Sequence, residues 1–90
     1  MDTTVLIGEH EITLRRSFTE MVLLVDGKKM ESVEGVFKKD HDAVLSGHFI
    51  GDEGEEVEIK VEYKSGGIEH LFGSATFYSN GKKIAVKTVT

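Results

Sequence analysis

The sequence predicts an all-β domain: an antiparallel β-sandwich or flattened barrel of seven to eight short strands. Three observations carry that expectation. The segment Glu56-Val57-Glu58-Ile59-Lys60-Val61-Glu62-Tyr63-Lys64 alternates charged and apolar residues without a break. Side chains on a strand point to opposite faces in turn, so this is a strand with one wet face; on a helix the same residues would scatter around every side. Two dipeptides, Asp26-Gly27 and Asn80-Gly81, sit between β-forming segments. Both suit a two-residue type I′ turn, which needs positive φ at both central positions. No stretch of ten residues carries apolar spacing of period 3.6, and turn signals recur every 8–12 residues.

The elements follow in chain order. Val5–Ile7 is a short candidate strand. His10, Ile12 and Leu14 alternate with Glu11, Thr13 and Arg15, which predicts a second. Glu20–Val25 is apolar on both parities, which predicts a central strand covered on both sides. The Asp26-Gly27 turn joins it to Lys28–Val33 and sets Leu23 opposite Met30. Glu34–Phe37 is a weaker candidate, and Lys39–Asp42 is a loop. Ala43–Ile50 is a strand with Gly47 inside it, marking a bulge or a close approach. After the loop Asp52–Glu55 comes the alternating strand, then the turn Ser65-Gly66-Gly67. Ile68, His70 and Phe72 share a parity, and Gly73-Ser74 allows a change of parity before Ala75 and Phe77. The Asn80-Gly81 hairpin joins Ala75–Ser79 to Lys82–Val89. Its register sets Phe77 opposite Ile84 and Ala75 opposite Val86 on one face, with Tyr78 facing Lys83 on the other. Val25-Asp26-Gly27-Lys28-Lys29-Met30 and Ser79-Asn80-Gly81-Lys82-Lys83-Ile84 match as turn pair, two lysines and an apolar residue. One matching hexamer reads as repeated hairpin chemistry, short of a repeat.

Ninety residues make one domain, residues 1–90, with a thin core. Apolar residues are 39% and charged residues 30%, a globular balance. There is no cysteine, so neither disulfide nor thiolate metal site contributes. The longest apolar run, Met21–Val25, is far short of the roughly 20 residues a bilayer demands. The first residues lack the basic region of a secretory signal, and the expected location is cytoplasmic. The formal net charge is −5, which argues against a dedicated nucleic-acid binder. Asp40 through Glu58 holds seven acidic residues and no lysine or arginine, whereas the basic residues come largely in neighbouring pairs.

Leu24-Val25-Asp26-Gly27-Lys28-Lys29, Gly47-His48-Phe49-Ile50, Val57-Glu58-Ile59, and Gly66-Gly67-Ile68-Glu69-His70 followed by Asn80-Gly81-Lys82 together span most of residues 10–84. Their order resembles the Fas apoptotic inhibitory molecule family. That resemblance implies a β-sandwich and a non-enzymatic protein-binding domain. The chain lacks the tryptophans and cysteines that several members carry.

The chemistry-bearing residues suggest no catalytic, metal or cofactor site. His10, His41, His48 and His70 are separated by 31, 7 and 22 residues, which matches no zinc motif. His10 and His70 fall on the apolar parity of their strands and are expected to be partly buried with hydrogen-bond partners. A metal pair between them would require neighbouring strands. Asp52-Glu53-Gly54-Glu55-Glu56 lacks calcium-loop spacing and reads as a solvated acidic turn. Glu11 and Glu69, beside histidines, are the two carboxylates to watch for acid–base work. No nucleophile elbow is present. Arg16 near Phe18, Phe37 before Lys38, and Tyr78 opposite Lys83 could imitate a single-strand-binding surface.

The expectation is therefore a non-catalytic protein-binding module without cofactor, whose partner the sequence does not name. The alternatives are a small barrel holding an apolar ligand and a single-stranded nucleic-acid binder. Lys83 and Lys87 should guard the last strand if it is an edge. A monomer is expected on that ground, with an edge-strand homodimer as the rival.

Overall fold

A computed structural model describes residues 2–17, 19–34, 42–66 and 72–89. Among these the chain forms eight strands: β1 (Asp2–Ile7), β2 (His10–Arg16), β3 (Glu20–Val25), β4 (Lys28–Glu34), β5 (Ala43–Ile50), β6 (Glu56–Gly66), β7 (Phe72–Ser79) and β8 (Lys82–Val89). They make two four-stranded antiparallel sheets, each a simple meander, ordered β1-β2-β3-β4 and β5-β6-β7-β8. The sheets pack face to face as a sandwich. β4 approaches β5 at one margin, and β1 approaches β8 at the other. The candidate strand at residues 34–37 lies beyond the end of β4, outside the described residues apart from Glu34. Ile68 and His70 also fall outside them.

Alternation decides which side chains form the core. Ile12, Leu14, Met21, Leu23 and Val25 of the first sheet meet Leu45, Val57, Ile59, Val61, Tyr63, Ala75, Phe77 and Val89 of the second, all buried. In β6 the core parity is Val57, Ile59, Val61 and Tyr63, while Glu58 and Lys60 are exposed as the alternation predicts. Glu62 is the departure: it is partly buried, because it accepts a hydrogen bond from Tyr78 Oη at 3.1 Å on the outer face. β3 is central in its sheet, and both its faces are buried.

Both tight turns have the predicted geometry. Asp26 and Asn80 each have φ of 50°, and Gly27 and Gly81 have φ of 81° and 82°. The registers beyond them differ from the sequence expectation. Leu24 pairs with Lys29, but Leu23 pairs with Glu31, so Met30 is an extra, bulged residue. Likewise Tyr78 pairs with Lys83, but Phe77 pairs with Ala85 and Ala75 with Lys87, leaving Ile84 bulged. Ile84 and Val86 are consequently exposed rather than set against Phe77 and Ala75. Lys83 and Val86 share the outer face, and Lys87 takes the inner parity at the margin. A bulge adds one residue to one strand, which turns every following side chain to the other face. Uniform alternation cannot reveal where that happens.

The first bulge has a visible use. It sets Glu31 on the core-facing parity of the edge strand β4, where Glu31 Oε1 accepts the Ser46 backbone N–H of β5 at 3.0 Å. A charged side chain turned inward thus caps an otherwise unpaired edge amide. The same margin explains Gly47. No bulge interrupts β5; a Cβ at Gly47 would lie 2.8 Å from Met30 Cβ and Cγ, so the glycine marks a close approach of the two sheets. Gly73 does not mark a change of parity either. Pairing runs unbroken from Gly66–Phe72 to Ile59–Ser79, and Gly73 instead makes room for the Tyr63 ring.

The matching hexamers extend into a matching architecture. Asp26 N–H donates to Glu11 C=O, and Asp26 Oδ1 accepts the Glu11 N–H, both at 2.8 Å. Asn80 does the same with Glu58, again at 2.8 Å each way. In both sheets the turn residue therefore clips itself to the second strand of its own meander, and a bulge follows at the third residue after the glycine.

Gly81→Val isolates the cost of the turn backbone. A Cβ there would meet nothing within 4 Å, so only positive φ penalises it. The expected loss is at least about 1 kcal/mol in urea unfolding. A midpoint equal to the parent's would contradict the type I′ turn.

Candidate functional site

Because both sheets are meanders, the β1–β2 and β3–β4 turns share one end of their sheet, and the β5–β6 and β7–β8 turns share one end of theirs. A histidine brings the two ends together. His10 opens β2 and sits on the core parity, with its side chain 21% exposed. Its Nδ1 lies 2.7 Å from Asp26 Oδ2 in the β3–β4 turn, and its Nε2 lies 3.1 Å from Asp52 Oδ1 in the β5–β6 turn of the facing sheet. The ring also packs against Phe49 at a centroid distance of 4.6 Å and a tilt of 40°. His10 is thus the partly buried, hydrogen-bonded residue that its parity predicts.

The electrostatics of this cluster agree with its geometry. The hydrogen bond with Asp26 raises the His10 pKa above 6.5, opposed by partial desolvation and reinforced by Asp52. The Asp26 carboxyl is correspondingly lowered, first by the His10 hydrogen bond and then by the Glu11 N–H. Glu11 takes part through its backbone N–H and C=O. Glu69 and His70 lie outside the described residues, which leaves the His10–His70 pair unplaced. No group of three or more histidine, aspartate and glutamate side chains among the described residues could hold a metal ion. The two carboxylates flank opposite nitrogens of one ring, so they do not converge on a common point.

The acidic turn is closed locally. Gly51 N–H donates to Glu55 C=O at 2.7 Å, Gly54 N–H to Gly51 C=O at 3.0 Å, and the Glu55 carboxylate accepts the Glu53 N–H at 3.0 Å. These bonds organise a solvated turn and direct Asp52 towards His10.

The basic residues separate. Arg15 forms a two-point ion pair with Asp2, at 2.9 and 3.0 Å, which lowers the Asp2 carboxyl. Arg16 is buried, with its guanidinium 5.9 Å from the Tyr63 ring centre. Phe18, Phe37 and Lys38 lie outside the described residues. Tyr78 is placed as expected, opposite Lys83, and Lys60 stands over its ring at 4.7 Å. Ser46, Lys60, Tyr78 and Lys83 consequently form a row across the outer face of the second sheet. The next row is Val44, Glu62, Thr76 and Val86.

Exposed apolar side chains concentrate on that sheet. Val44 and Ile50 of β5 are 55% and 60% exposed, and Ile84 and Val86 of β8 are 39% and 56% exposed. Leu6 of β1 is the fifth large apolar residue exposed among the described ones. An open groove of about 570 Å³ runs beside β5, lined by Met30, Gly47, His48, Glu58, Ile59 and Lys60 among others. Sequence reasoning missed this distribution, since it follows from the bulge at Ile84 and from which strands become edges.

No protein-family model, no curated protein and no solved structure matches the chain. No helix among the described residues is long and apolar enough to cross a membrane.

Proposed function

We propose that this domain is a non-catalytic protein-binding module that meets its partner with the outer face and margins of the second sheet. The observation that carries this reading is the one-sided exposure of Val44, Ile50, Ile84 and Val86 at the two edges of that sheet. Between them lies a polar centre of Lys60, Glu62 and Tyr78, tied by a hydrogen bond and a cation–π contact. Apolar groups beside a satisfied polar centre suit a protein surface better than a small molecule. The interior supports the same choice over an apolar-ligand barrel: Tyr63, Phe77, Met21 and Leu45 fill the space between the sheets. The resemblance to the Fas apoptotic inhibitory molecule family points the same way, and the cysteine-free composition suits the cytoplasm.

A single-stranded nucleic-acid surface is the second reading, favoured by Tyr78 between Lys60 and Lys83. Against it, Glu62 holds the Tyr78 hydroxyl, Asp2 neutralises Arg15, and Arg16 is buried.

The test compares proteins that co-purify from the native host with the parent, with Val44→Lys/Val86→Lys, and with Thr13→Lys on the outer face of the first sheet. A partner retained by the parent and the Thr13 variant but lost from the double variant supports the proposal. Equal recovery by all three overturns the assignment of this face. Salt-sensitive binding of a labelled oligothymidine, lost with Tyr78→Ala, would favour the second reading instead.

A further inference from the structure

We propose that His10, held between Asp26 of its own sheet and Asp52 of the facing sheet, is a proton-operated clasp that fastens the β5–β6 turn to the first sheet when charged and releases it when neutral. The hydrogen-bond inventory of the ring carries the argument. A neutral imidazole has one N–H and one lone pair, whereas an imidazolium has two N–H donors. Here a carboxylate oxygen lies within hydrogen-bond distance of each nitrogen, at 2.7 and 3.1 Å. Both contacts are attractive only in the imidazolium; a neutral ring would turn its lone pair to one of the carboxylates. Asp26 makes the shorter bond, so the proton on Nδ1 is the one retained. Loss of the Nε2 proton leaves Asp52 without a donor, and the hydrogen bond from the ring to the β5–β6 turn is broken.

The other half of the molecule shows what the fold itself requires. Asn80 occupies the place of Asp26 in the second meander and clips to Glu58 as Asp26 clips to Glu11. An amide is therefore sufficient for the turn, for its positive φ and for both backbone bonds. The residue there that corresponds to His10 is Val57, two places before the cross-strand pair of Ile59 with Ser79 as His10 is before that of Ile12 with Val25; it is simply buried. The charge on Asp26 and the imidazole of His10 are thus additions to the shared hairpin design. Their charged contacts run to each other and to Asp52.

The surroundings define the switch. Glu9 and Glu11 flank the ring on its own hairpin, and Lys28 follows the β3–β4 turn. Glu53 and Glu55 share the β5–β6 turn with Asp52. Among the described residues, only Asp26 and Asp52 form ion pairs with the ring. Phe49, the third ring neighbour, is uncharged and belongs to β5. Because the folded-state pKa is raised, the clasp is fully engaged below about 6.5 and is lost as pH rises through the folded value. It closes on the acidic side, the reverse of a carboxylate–lysine pair. The clasp does not depend on whether the outer face of the second sheet binds a partner.

The experiment follows the His10 ring resonance and the exchange protection of the Gly51 and Gly54 amides in the full chain from pH 5 to 9. The expected result is a His10 midpoint above 6.5, with turn protection falling through that same midpoint. Asp52→Asn should lower the midpoint and make turn protection independent of pH. Asp26→Asn should also lower it while the Glu11 amide stays protected, as Asn80 does for Glu58. A parent midpoint at or below 6.5, turn protection that stays level through the titration, or an Asp52→Asn midpoint equal to the parent's would each overturn the proposal.

Discussion

Ile59→Ala is expected to cost about 2–5 kcal/mol, a large part of the total stability of a domain this small. Ile59 is 2% exposed in the centre of β6, paired with Gly47 on one side and Ser79 on the other. Neither neighbour has a side chain that could fill the space left behind, so the cavity stays largely open. The adjacent Glu58→Ala should change stability by no more than about 0.5 kcal/mol, because Glu58 serves the fold through its backbone clip to Asn80. Chemical denaturation of both variants checks the pair. Equal losses would contradict the assignment of an inward and an outward face to β6.

Gly73→Ala is expected to be the other severe change, with a loss of about 1–3 kcal/mol from a single added methyl group. The new Cβ would fall on the hydroxyl and ring of Tyr63, which is 1% exposed. The ring is confined by its pairing with Ala43 and Ala75 and by the Arg16 guanidinium, so it has little freedom to retreat. Tyr63→Leu removes the atoms that clash. Gly73→Ala should therefore cost distinctly less in a Tyr63→Leu background than in the parent, a non-additivity readable in a double-mutant cycle. Additive losses would place the strain elsewhere than on the tyrosine ring.

Much of the fold is legible because its cues are local. The alternation of β6 names its buried face, the dipeptides Asp26-Gly27 and Asn80-Gly81 name their turns, and the two apolar parities of β3 name a central strand. Each cue involves residues near one another along the chain. His10 was legible as a partly buried, hydrogen-bonded histidine for the same reason. Its partners were not, since Asp26 is sixteen residues away and Asp52 forty-two, and sixteen acidic residues offered themselves.

By itself, then, the amino-acid sequence determined the fold class, the run of the strands, both type I′ turns and the buried face of β6. Those properties depend on side-chain parity and on the φ preferences of single residues. Only the tertiary structure decided the two bulges at Met30 and Ile84, the exposure of Val86, the need for glycine at 47 and 73, and the meeting of His10 with Asp52. The physical reason is that these depend on how one sheet lies upon the other. The bulge at Met30 turns Glu31 to the facing sheet, and a glycine is required where a residue distant in sequence already fills the space.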